Sequence, residues 1–138
     1  MAGKRGLVMG VANDHSIAWG IANALHAAGA TLALTFQGDA FEKRLRPLAA
    51  GLGGDLLLPC DVEDEPSIDA TFATLSEQWG GGLDFVVHAV AYSDKDELKG
   101  RYLDTTRANF RRTLSISCYS LTAVAQRGGL ARRIGADA

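Results

Sequence analysis

Four short, continuous apolar runs separated by longer segments of helical period constrain this chain's fold more than any other feature. Leu7-Val8-Met9, closed by Gly10, is the first run; "ATLALTF" (30–36), "DLLLPCDV" (55–62) and "LDFVVHAVA" (83–91) follow. Each is short enough for a strand and apolar without alternation, the pattern of a strand buried on both faces. The intervening segments read as helices. From Ser16 onward Ile17, Ile21, Ala24, Leu25 and Ala28 recur at helical spacing, with Ser16 as N-cap and Gly29 as stop. "DAFEKRLRPLAAGLGG" turns Phe41, Leu45, Leu48 and Leu52 inward, and Pro47 is expected to kink or restart that helix. Ile68, Phe72, Leu75 and Trp79 mark a third helix. Phe110, Leu114, Leu121, Val124 and Ala125 mark a last one beginning near Asp104. Strands alternating with helices predict an α/β fold, a Rossmann-like doubly wound parallel sheet of about four strands.

The 138 residues, 47% of them hydrophobic, suffice for one modest core and one domain. Fourteen basic against sixteen acidic side chains give a net charge of -2, with no basic stripe to meet a phosphate backbone, so nucleic acid is not an expected partner. Cys60 and Cys118 lack CxxC spacing, which points to reduced thiols rather than a zinc site or a disulfide framework; no metal is expected. "MAGKRGLVMG" carries too short an apolar run for a signal peptide, and nowhere do 18 apolar residues run together. The expectation is a soluble, cytoplasmic chain with no membrane partner.

In a doubly wound sheet the ligand lies beyond the carboxyl ends of the strands. The first such end is "GVANDHSIAWGIA" (10–22). Gly10 permits unusual backbone angles and close approach of a ligand. A helix beginning at Ser16 presents free N–H groups and a positive dipole end, to which the Ser16 hydroxyl adds a donor. The stretch is not a GxGxxG, and strand termination by Gly10 with capping by Ser16 explains it equally well. Gln37, after the second strand, can donate to and accept from ribose hydroxyls, or is a plain loop residue. Asp61 and Val62, after the third, offer a carboxylate and an apolar surface to an adenine ring, although Asp61 also suits a turn. After the fourth, "HAVA" (88–91) leaves room for a nicotinamide or its ribose at the backbone; His88 alone reads as a half-buried, satisfied histidine.

Taken together, "MGVANDHSIAWGIA", "TFQGDAFEKRLRPLA", "LPCDV", "FVVHAVAYSDKDELKGRY" and "SISCYSLTAVAQ" resemble the bacterial enoyl-acyl-carrier-protein reductases, divergent short-chain dehydrogenase/reductases, from about Lys4 to Arg127. The resemblance implies that Gly10, Ser16 and Ile17 hold the pyrophosphate of NADH, Gln37 the adenosine ribose, and Asp61 and Val62 the adenine. It implies Val90 near the nicotinamide half, and Ser93 bordering the acyl substrate. The implied reaction is reduction of a trans-2-enoyl thioester on acyl carrier protein, in fatty-acid elongation, by a homotetramer. NADPH is the lesser alternative, suggested by Lys43, Arg44 and Arg46, whose plainer role is a solvated helix face. "WGGG" (79–82) is one glycine longer than the family pattern.

The family's catalytic tyrosine and lysine follow a fifth strand, so the resemblance assigns neither to a residue of this chain; Tyr102 and Tyr119 do not occupy those places. After residue 127 the sequence turns to "GGLARRIGADA" (128–138), a composition like out-of-frame translation of a GC-rich gene. The expectation is an N-terminal part of a dinucleotide-binding domain, 1–127, with a non-family tail, 128–138. The alternative function is therefore a catalytically inactive nucleotide-binding fragment.

Overall fold

The computed structural model of the chain describes residues 1–53, 56–80 and 82–129. Four parallel strands, β1 (Arg5–Met9), β2 (Thr31–Phe36), β3 (Leu56–Pro59) and β4 (Phe85–His88), form one sheet in the order β3-β2-β1-β4. Leu7 of β1 stands opposite Ala33 of β2 and Val86 of β4, and Leu34 of β2 stands opposite Leu57 of β3. Alternate side chains enter two different cores. Val8, Leu32 and Leu34 pack on one face with α1 (Ile17–Ala27) and α2 (Asp39–Gly51). Leu7, Met9, Ala33 and Leu58 pack on the other with α3 (Glu65–Trp79) and α5 (Ser120–Arg127). Each large side chain so buried contributes about 1.5–3 kcal/mol, which is why the central strands are apolar throughout. This is the partial Rossmann-like, doubly wound architecture that the alternating runs predict. β3 and β4 are its edges, and all four residues of β4 remain half-buried.

Three helical expectations need correction. In α1 the buried residues are Ala18 and Ala22, flanked by half-buried Ile21 and Leu25, whereas Ile17 is 81% exposed and Ala24 and Ala28 face solvent. Small side chains meet the sheet because they let the helix backbone approach it closely. In α2, Leu45 is fully buried with Ala49 and Leu52 beside it, but Phe41 stays at the surface and the helix runs through Pro47 without restarting. One lost N–H bond is tolerated where Leu45 and Ala49, on either side of the proline, anchor the helix. The helix of Ile68, Leu75 and half-buried Phe72 and Trp79 is as expected, with buried Thr71 joining its inner face. Gly80 closes it in the left-handed conformation; Gly81 of the longer glycine run lies outside the described residues.

The last helix departs furthest. It begins at Arg107, not Asp104, because Thr106 caps it by accepting the Asn109 N–H at 3.1 Å, while Tyr102–Asp104 form a separate short turn. α4 (Arg107–Leu114) passes through a π-helical segment, Ser115–Tyr119, into α5. The wider π turn shifts the inward stripe to Ile116, Ser120, Ala123 and Val124. Phe110, Leu114 and Leu121 are left about half exposed. Among the described residues no helix is long and apolar enough to cross a membrane. Of the expected tail, 130–138 lies outside the described residues.

Candidate functional site

The chain leaves β1 toward α1 on one side of the sheet, while β4, hydrogen-bonded to β1 on its other side, leads into the segment before α4. The divergence of these two exits opens a crevice at the carboxyl ends of the strands. A cleft of about 270 Å³ occupies it. Gly10, Gln37, Asp61, Val62 and Val90, drawn from all four strand ends, line this one cleft.

Gly10 is required there for two reasons. Its φ is +95°, and a Cβ at this position meets the Ala89 carbonyl oxygen at 2.0 Å. The absent side chain thus makes room for the backbone just past β4, so that β1 and β4 stay paired up to Met9 and Ala89, where their exits part.

Ser16 and Ile17 do not line the cleft. Ser16 occupies the N-cap position of α1, but its side chain makes no cap bond. Instead its Oγ donates to the Asn13 carbonyl at 2.6 Å and accepts the Ala12 N–H at 3.4 Å, folding the 12–16 loop on itself. The first N–H groups of the helix therefore have no side-chain acceptor from Ser16, and no acidic residue sits in the first turn to oppose an anion.

Gln37 is exposed, lines the cleft, and precedes Gly38, the N-cap of α2. Asp61 serves a turn and lines the cleft at once: its Oδ1 accepts the Glu63 N–H at 2.9 Å, and its own N–H donates to Ser67 Oγ at 2.9 Å. Cys60 beside it is buried, which pushes its thiol pKa up. Lys43, Arg44 and Arg46 are absent from the cleft lining and exposed on α2, with Arg46 paired to Glu42 and Arg44 over the Phe41 ring. Ser93 lies in an adjoining cavity with Glu97, Asn109 and Thr113, where Asn109 Nδ2 and Thr113 Oγ1 both donate to its hydroxyl, at 3.2 and 3.3 Å. Those bonds dock the loop after β4 onto α4. His88 Nε2 lies 2.7 Å from Ser120 Oγ, whose proton goes to the Ile116 carbonyl at 2.6 Å. The ring is therefore the Nε2–H donor. Burial lowers its pKa, which favours the neutral ring, and the contact joins β4 to the helix beginning at Ser120.

The sequence reading missed Glu63, Tyr92 and Arg112, which also line the cleft. Arg112 forms a two-pronged ion pair with Glu63 and lies 4.5 Å over the Tyr92 ring, and the carboxylate raises the pKa of the guanidinium far above its already high ordinary value. Glu63 and Arg112 stand 49 positions apart, and no local spacing signals such a pair. Among the described residues no group of three or more His, Cys, Asp or Glu side chains is placed to hold a metal.

A family model described as enoyl-(acyl carrier protein) reductase matches residues 10–134. The chain belongs to the enoyl-acyl-carrier-protein reductase family. It is 63% identical over 127 residues to an enoyl-[acyl-carrier-protein] reductase [NADH] of Rhizobium meliloti, covering 92% of this chain and 47% of that protein. The crystal structure of the Anaplasma phagocytophilum reductase in complex with NAD superposes with a TM-score of 0.89 at 56% identity, covering 93% of this chain and 48% of the other. That of FabI from Candidatus Liberibacter asiaticus gives 0.90 at 54% identity, covering 93% and 49%. The chain thus spans about half the length of the curated relatives it matches.

Proposed function

We propose that these residues form the dinucleotide-binding part of an NADH-dependent enoyl-acyl-carrier-protein reductase, acting in the last reductive step of fatty-acid elongation. The observation that carries this reading is the convergence of Gly10, Gln37, Asp61, Val62 and Val90 on one cleft at the switch point of the sheet. The cleft suits the cofactor. Its walls include Val11, Phe36, Val62 and Val90, with a few polar groups in Thr35, Gln37 and Asp61, the make-up of a small-molecule site. Its one further acid, Glu63, is neutralised by Arg112.

NADH, when bound, supplies the hydride. The chain's residues would bind and orient it: the N–H groups opening α1 at Ile17, outside the cleft lining itself, would meet a pyrophosphate that extends past Gly10, steadied by the loop that Ser16 ties together. The Gln37 amide serves the adenosine ribose, the Asp61 carboxylate accepts from the adenine amino group, and Val62 lies against the ring. The backbone around Val90 borders the nicotinamide half, and Ser93 fixes the loop at the edge of the acyl site. Reduction at the carbon beta to the thioester places charge on the carbonyl oxygen, which needs an oriented donor. In the family resemblance that donor is a tyrosine at none of the positions that carry the resemblance, so we assign no catalytic residue within 1–127. The expectation for residues 1–127 alone is NADH binding without turnover. Homotetramer assembly and docking of acyl carrier protein belong, in the same reading, to the whole reductase rather than to these residues alone.

Fluorescence titration with NADH tests it. We expect saturable binding that adenosine fragments compete with, weakened by Gln37→Ala and by Ser16→Ala, and no oxidation of NADH with a crotonyl thioester. Saturable binding indifferent to both substitutions overturns the assigned pocket. Robust turnover by the polypeptide overturns the assignment of the donor.

A further inference from the structure

The junction of Glu63, Tyr92 and Arg112 spans the cleft. Arg112, on α4, donates from Nη2 to Glu63 at 2.8 Å, from Nε to both carboxylate oxygens at 3.0 and 3.2 Å, and from Nη1 to Tyr92 Oη at 3.2 Å. Its guanidinium also lies 4.5 Å over the Tyr92 ring. Glu63 follows β3 and Tyr92 follows β4, so one side chain grips the loops after the two edge strands, both of which line the cleft. The turn that Arg112 reaches is already held at its start, where Asp61 binds Ser67 through its N–H and Glu63 through its carboxylate. Ser67 fixes the beginning of the 61–63 segment, and Arg112 fixes its end.

We propose that Arg112 is a positioning residue for the dinucleotide, a clamp that holds the Asp61-Val62 wall at a set separation from the wall carrying Val90. The proposal rests on the dinucleotide reading above. Arginine suits the task because a planar fork pairs with a carboxylate through two N–H groups while its face stacks on an aromatic ring; lysine offers one point charge and no such face. The pair is solvated, its side chains 52% and 31% exposed, so its effect on global stability is small. Its effect on binding is separate from stability: once the clamp is released, the closed cleft becomes a fraction of the ensemble, and apparent affinity falls by that fraction.

The test combines NADH titration with urea unfolding of the 138-residue chain. A closed state reduced to about a tenth of the population gives a roughly tenfold weaker Kd. We expect that loss in Arg112→Ala with the urea midpoint nearly unchanged, and Arg112→Lys to retain only part of the wild-type affinity. We expect Glu63→Gln to weaken binding similarly, the double variant Glu63→Gln/Arg112→Ala to lose no more than Arg112→Ala alone, and the exchanged pair Glu63→Arg/Arg112→Glu to regain much of the affinity. Amide hydrogen exchange at Val62 and Glu63 should quicken in Arg112→Ala without cofactor. Normal affinity in Arg112→Ala overturns the clamp while leaving the dinucleotide reading intact, as do fully additive losses. Loss of the cooperative urea transition makes Arg112 structural and also overturns it. A wild-type chain that binds no NADH overturns the dinucleotide reading and the clamp together.

Discussion

Replacing Gly10 with alanine should separate the exits of β1 and β4 and so damage fold and cleft together. The added Cβ falls 2.0 Å from the Ala89 carbonyl oxygen and 2.5 Å from its carbon, backbone atoms immediately after β4 that no side-chain rotation can clear. The φ of +95° also disfavours any L side chain. A strained backbone of this kind costs about 1–3 kcal/mol, and forcing packed atoms apart adds about 1–3 kcal/mol. The sum, roughly 2–6 kcal/mol, is a large part of the 5–15 kcal/mol or so typical of a domain. At a urea dependence of about 2 kcal/mol per molar, the midpoint drops by about 1–3 M. Half-buried Trp19 and Trp79 report the transition by fluorescence. Gly80→Ala is the control. Its φ is +62° and its ψ +32°, yet a Cβ there meets no described atom within 4 Å, so only a left-handed conformational cost of about 1–2 kcal/mol applies. Equal midpoint shifts in the two variants would refute the argument that the Ala89 carbonyl sets the requirement for glycine.

Leu45→Ala, emptying a fully buried site between α2 and the sheet, should cost about 2–5 kcal/mol, whereas Ile17→Ser at an exposed position should change stability by less than about 0.5 kcal/mol; urea midpoints decide both. His88 gives a pH signature. Burial lowers its folded pKa below the ordinary value of about 6.5, so the unfolded chain binds the proton more readily. The stability this provides is complete above about pH 6.5 and is lost as pH falls through the folded value. His88→Gln should flatten that slope in urea midpoints taken at about pH 7.5 and 5. The half-exposed Phe110, Leu114, Tyr119 and Leu121 on the last helix, with the half-buried edge strand β4, should make the polypeptide self-associate without one defined stoichiometry; a single clean tetramer in sedimentation velocity contradicts this.

The sheet was legible because strands buried on both faces must be apolar without interruption. Leu7-Val8-Met9 and the run from Leu32 to Leu34 show that requirement directly in the sequence. Convergence of Gly10, Gln37, Asp61, Val62 and Val90 then follows from parallel strands, whose carboxyl ends all lie at one edge of the sheet. Helix faces were less legible. Spacing identifies a helix, but Ala18 and Ala22 meet the sheet where close backbone approach outweighs side-chain size, and Ile17 is left in solvent. The π-helical turn at Ser115–Tyr119 changes the phase of the last helix, which a constant period cannot anticipate. Ser16 was placed correctly as the residue before α1 but not in its bonding, because a hydroxyl that caps a helix and one that ties a loop look alike in sequence. Glu63 and Arg112 meet only through the tertiary fold.

Amide chemical-shift mapping of the 138-residue chain during titration with NADH, with NADPH in parallel, tests the central claim most directly. The account predicts saturable binding of one NADH, tighter than NADPH, with the largest shifts confined to Gly10, Ser16, Ile17, Gln37, Asp61, Val62, Val90 and their immediate neighbours. Absence of saturable shifts, or shifts concentrated away from the carboxyl ends of the strands, would contradict it.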